Sequence, residues 1–179
     1  MQYEGGSDPE VSDIVDVPLI GSQPEGHQQE TWLLDPQIKW KRAGRLALNH
    51  LDAFVEKPEK LRVNGYSSTF GQNNRVPADQ ARTLQSSLFF LRVHKLTLVV
   101  DERLDSWSAR YMIDGIFVYG RDVYRLRVTD PVYEYIASPG EYYEIGPCCL
   151  TVSLAKSFSD GYCYKLIAAI VEAKGRSGG

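Results

Sequence analysis

From Ser86 onward the chain alternates as strands do, and nothing else in it constrains the fold as strongly. "SSLFFLRVHKLTLVVDE" is rich in β-branched and aromatic residues and predicts a strand bent near His94-Lys95. "WSARYMIDGIFVYGRDVYRLRVTDP" predicts a hairpin, with the glycine of "YGRD" supplying the turn. One arm sets Tyr111, Ile113 and Gly115 against Met112, Asp114 and Ile116; the other sets Val123, Arg125 and Arg127 against Tyr124, Leu126 and Val128. "CCLTVSLAKSF" and "GYCYKLIAAIVEA" are further strands joined by the turn signal "SDG". "PVYEYIAS" reads as a helical turn and "SPGEYYEIGP" as loop.

The first half is less regular. "VSDIVDVPLI" alternates and reads as a strand ended near Pro18; "GSQPEGHQQE" is turn-forming. "LALNHLDAFVEKPEK" is the best helix, with Leu48, Leu51, Phe54 and Val55 as its apolar stripe, Asn49 as N-cap and Pro58 as its stop. "VPADQARTLQ" predicts a second, short helix. The fold class is therefore mainly β with one or two short helices, a small barrel or sandwich with no βαβ alternation. An OB-like Greek-key barrel fits, and so does a PUA-like or SH3-like one.

Between the helix and the strands lies "LRVNGYSSTFGQNNRVP", which holds almost nothing that fills a core. It carries Asn64, Tyr66, Phe70, Asn73, Asn74 and Arg75. "KWKRAGR" sets Trp40 between Lys39 and Lys41, with Arg42 beside them, and "GYCYK" adds Tyr162 and Tyr164. Rings interleaved with cations are what a single-strand binder uses: bases stack on the rings and phosphates meet the cations. The structural alternative is that Trp40 and Tyr164 are core or rim rings and that the asparagines only turn the chain. Charge is split as well. Residues 1–30 hold seven acids and no Lys or Arg, which leaves 16 of the 23 acids against all 20 bases in the rest. That balance permits a polyanionic partner without requiring one.

Chemistry is poorly represented. Cys148, Cys149 and Cys163 lie among apolar neighbours, odd in number and without CxxC, which predicts buried reduced thiols and neither a disulfide framework nor a zinc site. "HQQE" is not HExxH, and "GYSSTFG" lacks the lysine of a phosphate loop. Asp13, Asp16, Asp114 and Asp130 are not marked as an acid–base pair. No catalytic residue, metal ligand or cofactor is assigned. No apolar run is long enough to span a membrane and no leader opens the chain, so a cytoplasmic location is expected.

Taken together, "DIVDVPL", "HQQETWLLDP", "VNGYSSTFGQNNRVP", "TDPV" and "LTVSLAKSFSDGYCYKLIAAIV" resemble the bacterial dual OB-containing domain, a family built from two OB-like barrels. The resemblance covers residues 3–171, and the block at 63–77 with the closing "GYCYKL" is its most specific part. Family members begin with a further stretch that does not precede Met1 here. The resemblance therefore implies an incomplete first OB-like unit with a connecting helix at 1–60 and a second OB-like barrel at 61–171, while the tail at 172–179, with "KGRSGG", reads as disordered from its own composition. It also implies nucleic-acid or nucleotide binding, accessory to bacterial conflict systems.

Three functional readings follow. In the first, the chain is a non-catalytic module for single-stranded DNA or RNA. Trp40, Tyr66 and Phe70 stack, Lys39, Lys41, Arg42 and Arg75 meet phosphates, and Asn64, Asn73 and Asn74 read base edges or hold the loop; affinity then falls steeply with salt. In the second, it is a protein-interaction scaffold that docks through the strand edge around "DIVDVPLI". In the third, it is an enzyme acting on a small nucleotide, for which no nucleophile–base pair stands out.

Overall fold

A computed structural model describes residues 3–101, 111–134, 138 and 140–172. Its first strands are β1 (Asp13–Asp16), β2 (Leu19–Ser22), β3 (Trp32–Leu34), β4 (Lys41–Arg45) and β5 (Arg75–Pro77), the last running into helix α1 (Ala78–Ala81). Then come β6 (Leu88–Val93), β7 (Leu96–Asp101), β8 (Met112–Tyr119) and β9 (Asp122–Val128). After helix α2 (Pro131–Glu134) follow β10 (Tyr142–Ile145), β11 (Cys148–Ser157) and β12 (Tyr162–Glu172).

The bend at His94-Lys95 organises the barrel. β6 and β7 do not pair with each other; β6 pairs with β11 and β7 with β8. They are two halves of one strand bent across the fold. The sheet order β7-β8-β9-β12-β11-β6 thus begins and ends on that strand, and the sheet closes. Numbering the bent strand first, the order is 1-2-3-5-4-1, with β9–β12 parallel and the other neighbours antiparallel. This is the OB-like barrel expected from the sequence. Its interior takes the inward half of each alternation, including Leu91, Leu98, Ile113, Leu126, Leu150 and Ile167. Phe117 and Tyr124 stack across β8 and β9, centroids 5.4 Å apart. At Gly115 the barrel interior leaves no room for a side chain: a Cβ there would lie 2.4 Å from Ile167 Cδ1 and 3.0 Å from Leu96 Cδ1.

Two expectations are corrected. Residues 48–54 form a 3-10 helix in which no residue is buried, and its N-cap is Ala47, not Asn49. The apolar positions Leu48, Leu51 and Phe54 recur every third residue, which is the 3-10 period. "YYEI", read as loop, is strand β10, an extra strand on the edge of β7. The hairpin turn at Gly120 and the "SDG" turn at Gly161 stand as expected, both glycines with positive φ. Residues 135–137 of the expected helical turn, 107–110 of the first hairpin arm and 173–179 of the expected tail lie outside the described residues.

Ahead of the barrel lie two ribbons, β1 with β4 and β2 with β3. Five of the seven acids of the first thirty residues find partners here and on the barrel. Arg42 pairs with Asp13 at 3.0 Å, Arg45 with Glu10 at 2.7 Å, Lys41 with Glu4 at 3.8 Å and Lys156 with Glu25. His27 is buried and donates through Nε2 to the Leu154 carbonyl at 3.1 Å, while the Glu30 carboxylate accepts from Ser87 N at 2.9 Å.

Candidate nucleic-acid interface

The polar stretch at 61–77 fills a seam. β9 and β12 keep parallel register over only two pairs, Leu166↔Arg127 and Ile167↔Val128. Beyond them the strands diverge and would leave unpaired backbone groups, which are costly to bury. Residues 72–77 supply the partners. On the β12 side, β5 pairs with Tyr162–Tyr164 and the Asn74 carbonyl accepts from Lys165 N at 2.8 Å. On the β9 side, Gln72 O accepts from Arg125 N at 3.1 Å and Asn73 Nδ2 donates to Val123 O at 3.0 Å.

The amide side chains hold this plug in shape. Asn73 sits at φ +50, accepts from Gly65 N at 2.9 Å and donates its own N–H to Ser67 Oγ at 3.0 Å. Asn74 is buried and binds Ser68 twice, accepting from its N–H at 3.0 Å and donating to its Oγ at 2.8 Å. Asn64 Nδ2 donates to Tyr124 Oη at 2.6 Å and Asp122 Oδ2 at 2.7 Å. Its Oδ1 accepts from Lys165 Nζ at 3.0 Å, and Val63 O accepts from the same ammonium at 2.8 Å. Lys165 is only 1% exposed and lies over the Tyr124 ring. Burial, helped by the charge of Arg62 and opposed by Asp122, brings its pKa down to about 7. The three asparagines thus have internal partners, and their structural role is the one the geometry displays.

On the outer side of the seam opens a cavity of about 770 Å³. The plug contributes Ser67, Ser68, Thr69, Phe70, Asn74 and Arg75; β8 and β9 contribute Asp114 and Arg127; the β11–β12 turn contributes Phe158 to Asp160, and β12 contributes Tyr164. Two rings stand out of the surface there: Phe70 is 64% and Phe158 59% exposed. Tyr164 meets Phe158 edge-on at 5.3 Å and donates to Asp160 Oδ2 at 2.6 Å. That bond holds the Asp160 carboxyl below its usual range and pushes the Tyr164 phenol up. Arg75 lies on the Tyr162 ring at 4.1 Å, and Tyr162 in turn neighbours Tyr66 at 6.2 Å. Asp114, 2% exposed, receives Arg125 Nε at 2.9 Å and Arg127 Nε at 2.7 Å, and Arg125 also reaches Asp101 at 2.8 Å. Arg127 is thereby fixed by its Nε; among the described residues nothing else binds its terminal amino groups.

The structure thus gathers the sequence-based set in part. Asn64, Tyr66, Phe70, Asn73, Asn74, Arg75, Tyr162 and Tyr164 come together at the seam. Lys39, Trp40, Lys41 and Arg42 do not join them and line no part of the cavity. Lys41 and Arg42 are on β4, ion-paired to acids, and half-buried Trp40 bridges to Tyr3. Their ribbon lies toward the far end of β12, where its Arg45 and residues Ala168–Glu172 border a second, apolar groove of about 790 Å³. Phe158, Arg127, Asp114 and Asp160 were not in the set. The signal for Arg127 was present in its outward position between Leu126 and Val128, and that for Phe158 in its place just ahead of a hairpin turn.

A closed barrel of this strand order, with a ring-lined cavity over its second and third strands and the turn between its fourth and fifth, defines an OB-type binding barrel. The chain belongs to the dual OB-containing domain family, whose sequence pattern matches residues 1–170. No curated protein and no solved structure matches it.

Proposed function

We propose that this binding module takes single-stranded nucleic acid in the cavity at the seam. The observation that carries the reading is the pair of exposed rings, Phe70 and Phe158, that line one cavity together with a guanidinium that Asp114 holds in place. Exposed phenylalanines on a polar rim add nothing to the barrel core and offer faces on which bases stack. The cavity's two carboxylates are engaged, Asp114 by two arginines and Asp160 by Tyr164, which favours a non-catalytic role. A cytoplasmic, accessory place in a bacterial defence system is proposed by analogy of fold alone. Fluorescence anisotropy with a labelled oligo(dT) or oligo(U) at low salt tests the reading. Each of Phe70→Ala and Phe158→Ala is expected to weaken binding by roughly 5- to 150-fold, from about 1–3 kcal/mol per stack. Absence of binding by the unaltered protein at low salt refutes it.

A second reading, a protein-docking scaffold, draws on the β2–β3 ribbon. There Leu19, Ile20, Trp32 and Leu33 are all exposed, at 46%, 64%, 52% and 44%. Partner binding lost in Trp32→Ala but kept in Phe70→Ala would favour it.

A further inference from the structure

The charge at the cavity sets how much of a strand it can hold. Among the described residues three cations line it: Arg75, Arg127 and Lys165. Lys165 turns its ammonium inward, onto Val63 O and Asn64 Oδ1, and is not available to a ligand. Arg75 and Arg127 remain, with Asp160 and Asp114 beside them. The cluster "KWKR", which would have extended a cationic track, lines no part of the cavity, and its Lys41 and Arg42 are paired to acids. The rings are equally few: Phe70 on the plug and Phe158 on the turn, with Tyr164 bracing Phe158 edge-on. A volume of about 770 Å³ falls in the range of roughly 300–1,000 Å³ that encloses one compact ligand.

We infer that the site holds a segment of two or three nucleotides, with one base on Phe70, one on Phe158, and two phosphates met by Arg127 and Arg75. This rests on the single-strand reading above and adds its length and charge. Stacking then supplies most of the affinity, and the salt dependence is shallow instead of steep.

The numbers separate the alternatives. Each phosphate neutralised on a single strand contributes about −0.7 to the slope of log K against log salt, so two contacts give about −1.4. Affinity then falls roughly sevenfold between 50 and 200 mM salt, whereas six contacts would lower it by roughly 300-fold. Anisotropy titrations of the full chain with labelled oligo(dT) of two to ten nucleotides, at several salt concentrations, make the test. The expected result is a slope near −1.4 and an affinity that rises to the trinucleotide. Beyond that it should grow only with the number of registers a longer strand offers. Arg127→Met should halve the slope, and the length series on the unaltered protein is independent of that variant. A slope of −3 or steeper, an affinity that climbs further past six nucleotides, or an unchanged slope in Arg127→Met overturns this inference and leaves the single-strand reading standing. No binding of any oligonucleotide overturns both.

Discussion

Lys165 should write its own signature into the pH dependence of stability. In the folded chain its pKa is brought to about 7, against 10.5 for an ordinary lysine. Between those values the unfolded chain holds one proton that the folded chain has released, so stability rises with pH. The slope is about 1.4 kcal/mol per pH unit, and the full shift corresponds to about 5 kcal/mol. Below pH 7 both states carry the proton and the slope vanishes. From about pH 8 upward the cysteines oppose it: burial pushes Cys148 up to about 12 and raises Cys163, so the folded state keeps protons that the unfolded state loses. From about pH 7 to 9 the lysine alone contributes a gain of about 2–3 kcal/mol, which comparison with a variant that lacks it separates from the cysteines. Lys165→Met removes the titrating group. It also leaves Val63 O and Asn64 Oδ1 without their donor, at a cost of about 1–3 kcal/mol that does not vary with pH. The informative quantity is therefore the change of the difference between the two proteins across pH. Urea unfolding followed by tryptophan fluorescence at half-unit steps from pH 6.5 to 9 measures it. Parallel curves for the two proteins would refute the assignment of a buried, depressed lysine at this position.

Other perturbations probe the barrel and the plug separately. Gly115→Ala places a methyl 2.4 Å from Ile167 Cδ1 and should cost about 1–3 kcal/mol in thermal or urea unfolding. Gly71→Ala meets the Arg125 carbonyl at 2.7 Å and Asn74 Nδ2 at 2.4 Å. It should lift the plug from β9, seen as faster proteolysis within residues 65–75 and loss of oligonucleotide binding while far-UV circular dichroism keeps the barrel signal. Cys148, Cys149 and Cys163 are buried, and the Cys148 thiol is pushed up to about 12, so a thiol reagent at pH 8 should modify none of them until urea unfolds the chain. Rapid labelling in native buffer would contradict their burial.

The barrel was legible because period-two alternation is a local property with a global consequence: Ile113 of β8 and Tyr124, Leu126 and Val128 of β9, which the sequence set on one face of each arm, are buried in the core, and the runs that became β11 and β12 read as strands. The bend at His94-Lys95 was legible too, although only pairing shows that it closes the sheet. What escaped depends on distant partners. β10 is strand only because the edge of β7 is there to receive it; with Gly140 ahead and Gly146-Pro147 behind, its sequence reads as loop. The basic segment around Trp40 looked free because Asp13, Glu10 and Glu4 are remote in sequence; their excess of charge was visible, but its destination was not. Phe158 escaped because a ring next to a turn is ordinary until an opposing ring, Phe70, is known to line the same cavity.

The composition of the plug and the location of the cavity have one cause. A parallel pairing between the third and fifth strands cannot be prolonged here, because β9 and β12 separate after two residue pairs. The backbone carbonyls of Gln72 and Asn74 would meet the Arg125 and Lys165 amides whatever the side chains, but an apolar segment in that gap would strand the Val123 carbonyl, now met by Asn73 Nδ2, and would lose the Asn73 and Asn74 side-chain bonds that hold the turns. The filler must therefore be polar and tightly turned, hence its run of Asn, Gly and Ser. A segment so dense in backbone and side-chain hydrogen bonds has no interior for large rings, and Phe70 is turned outward. It emerges beside the turn that carries Phe158, because β5 pairs with the same end of β12 that the turn leads into. Closing the barrel and exposing the stacking faces are thus two results of the same insertion, which is why displacing the plug at Gly71 should abolish binding without dissolving the barrel.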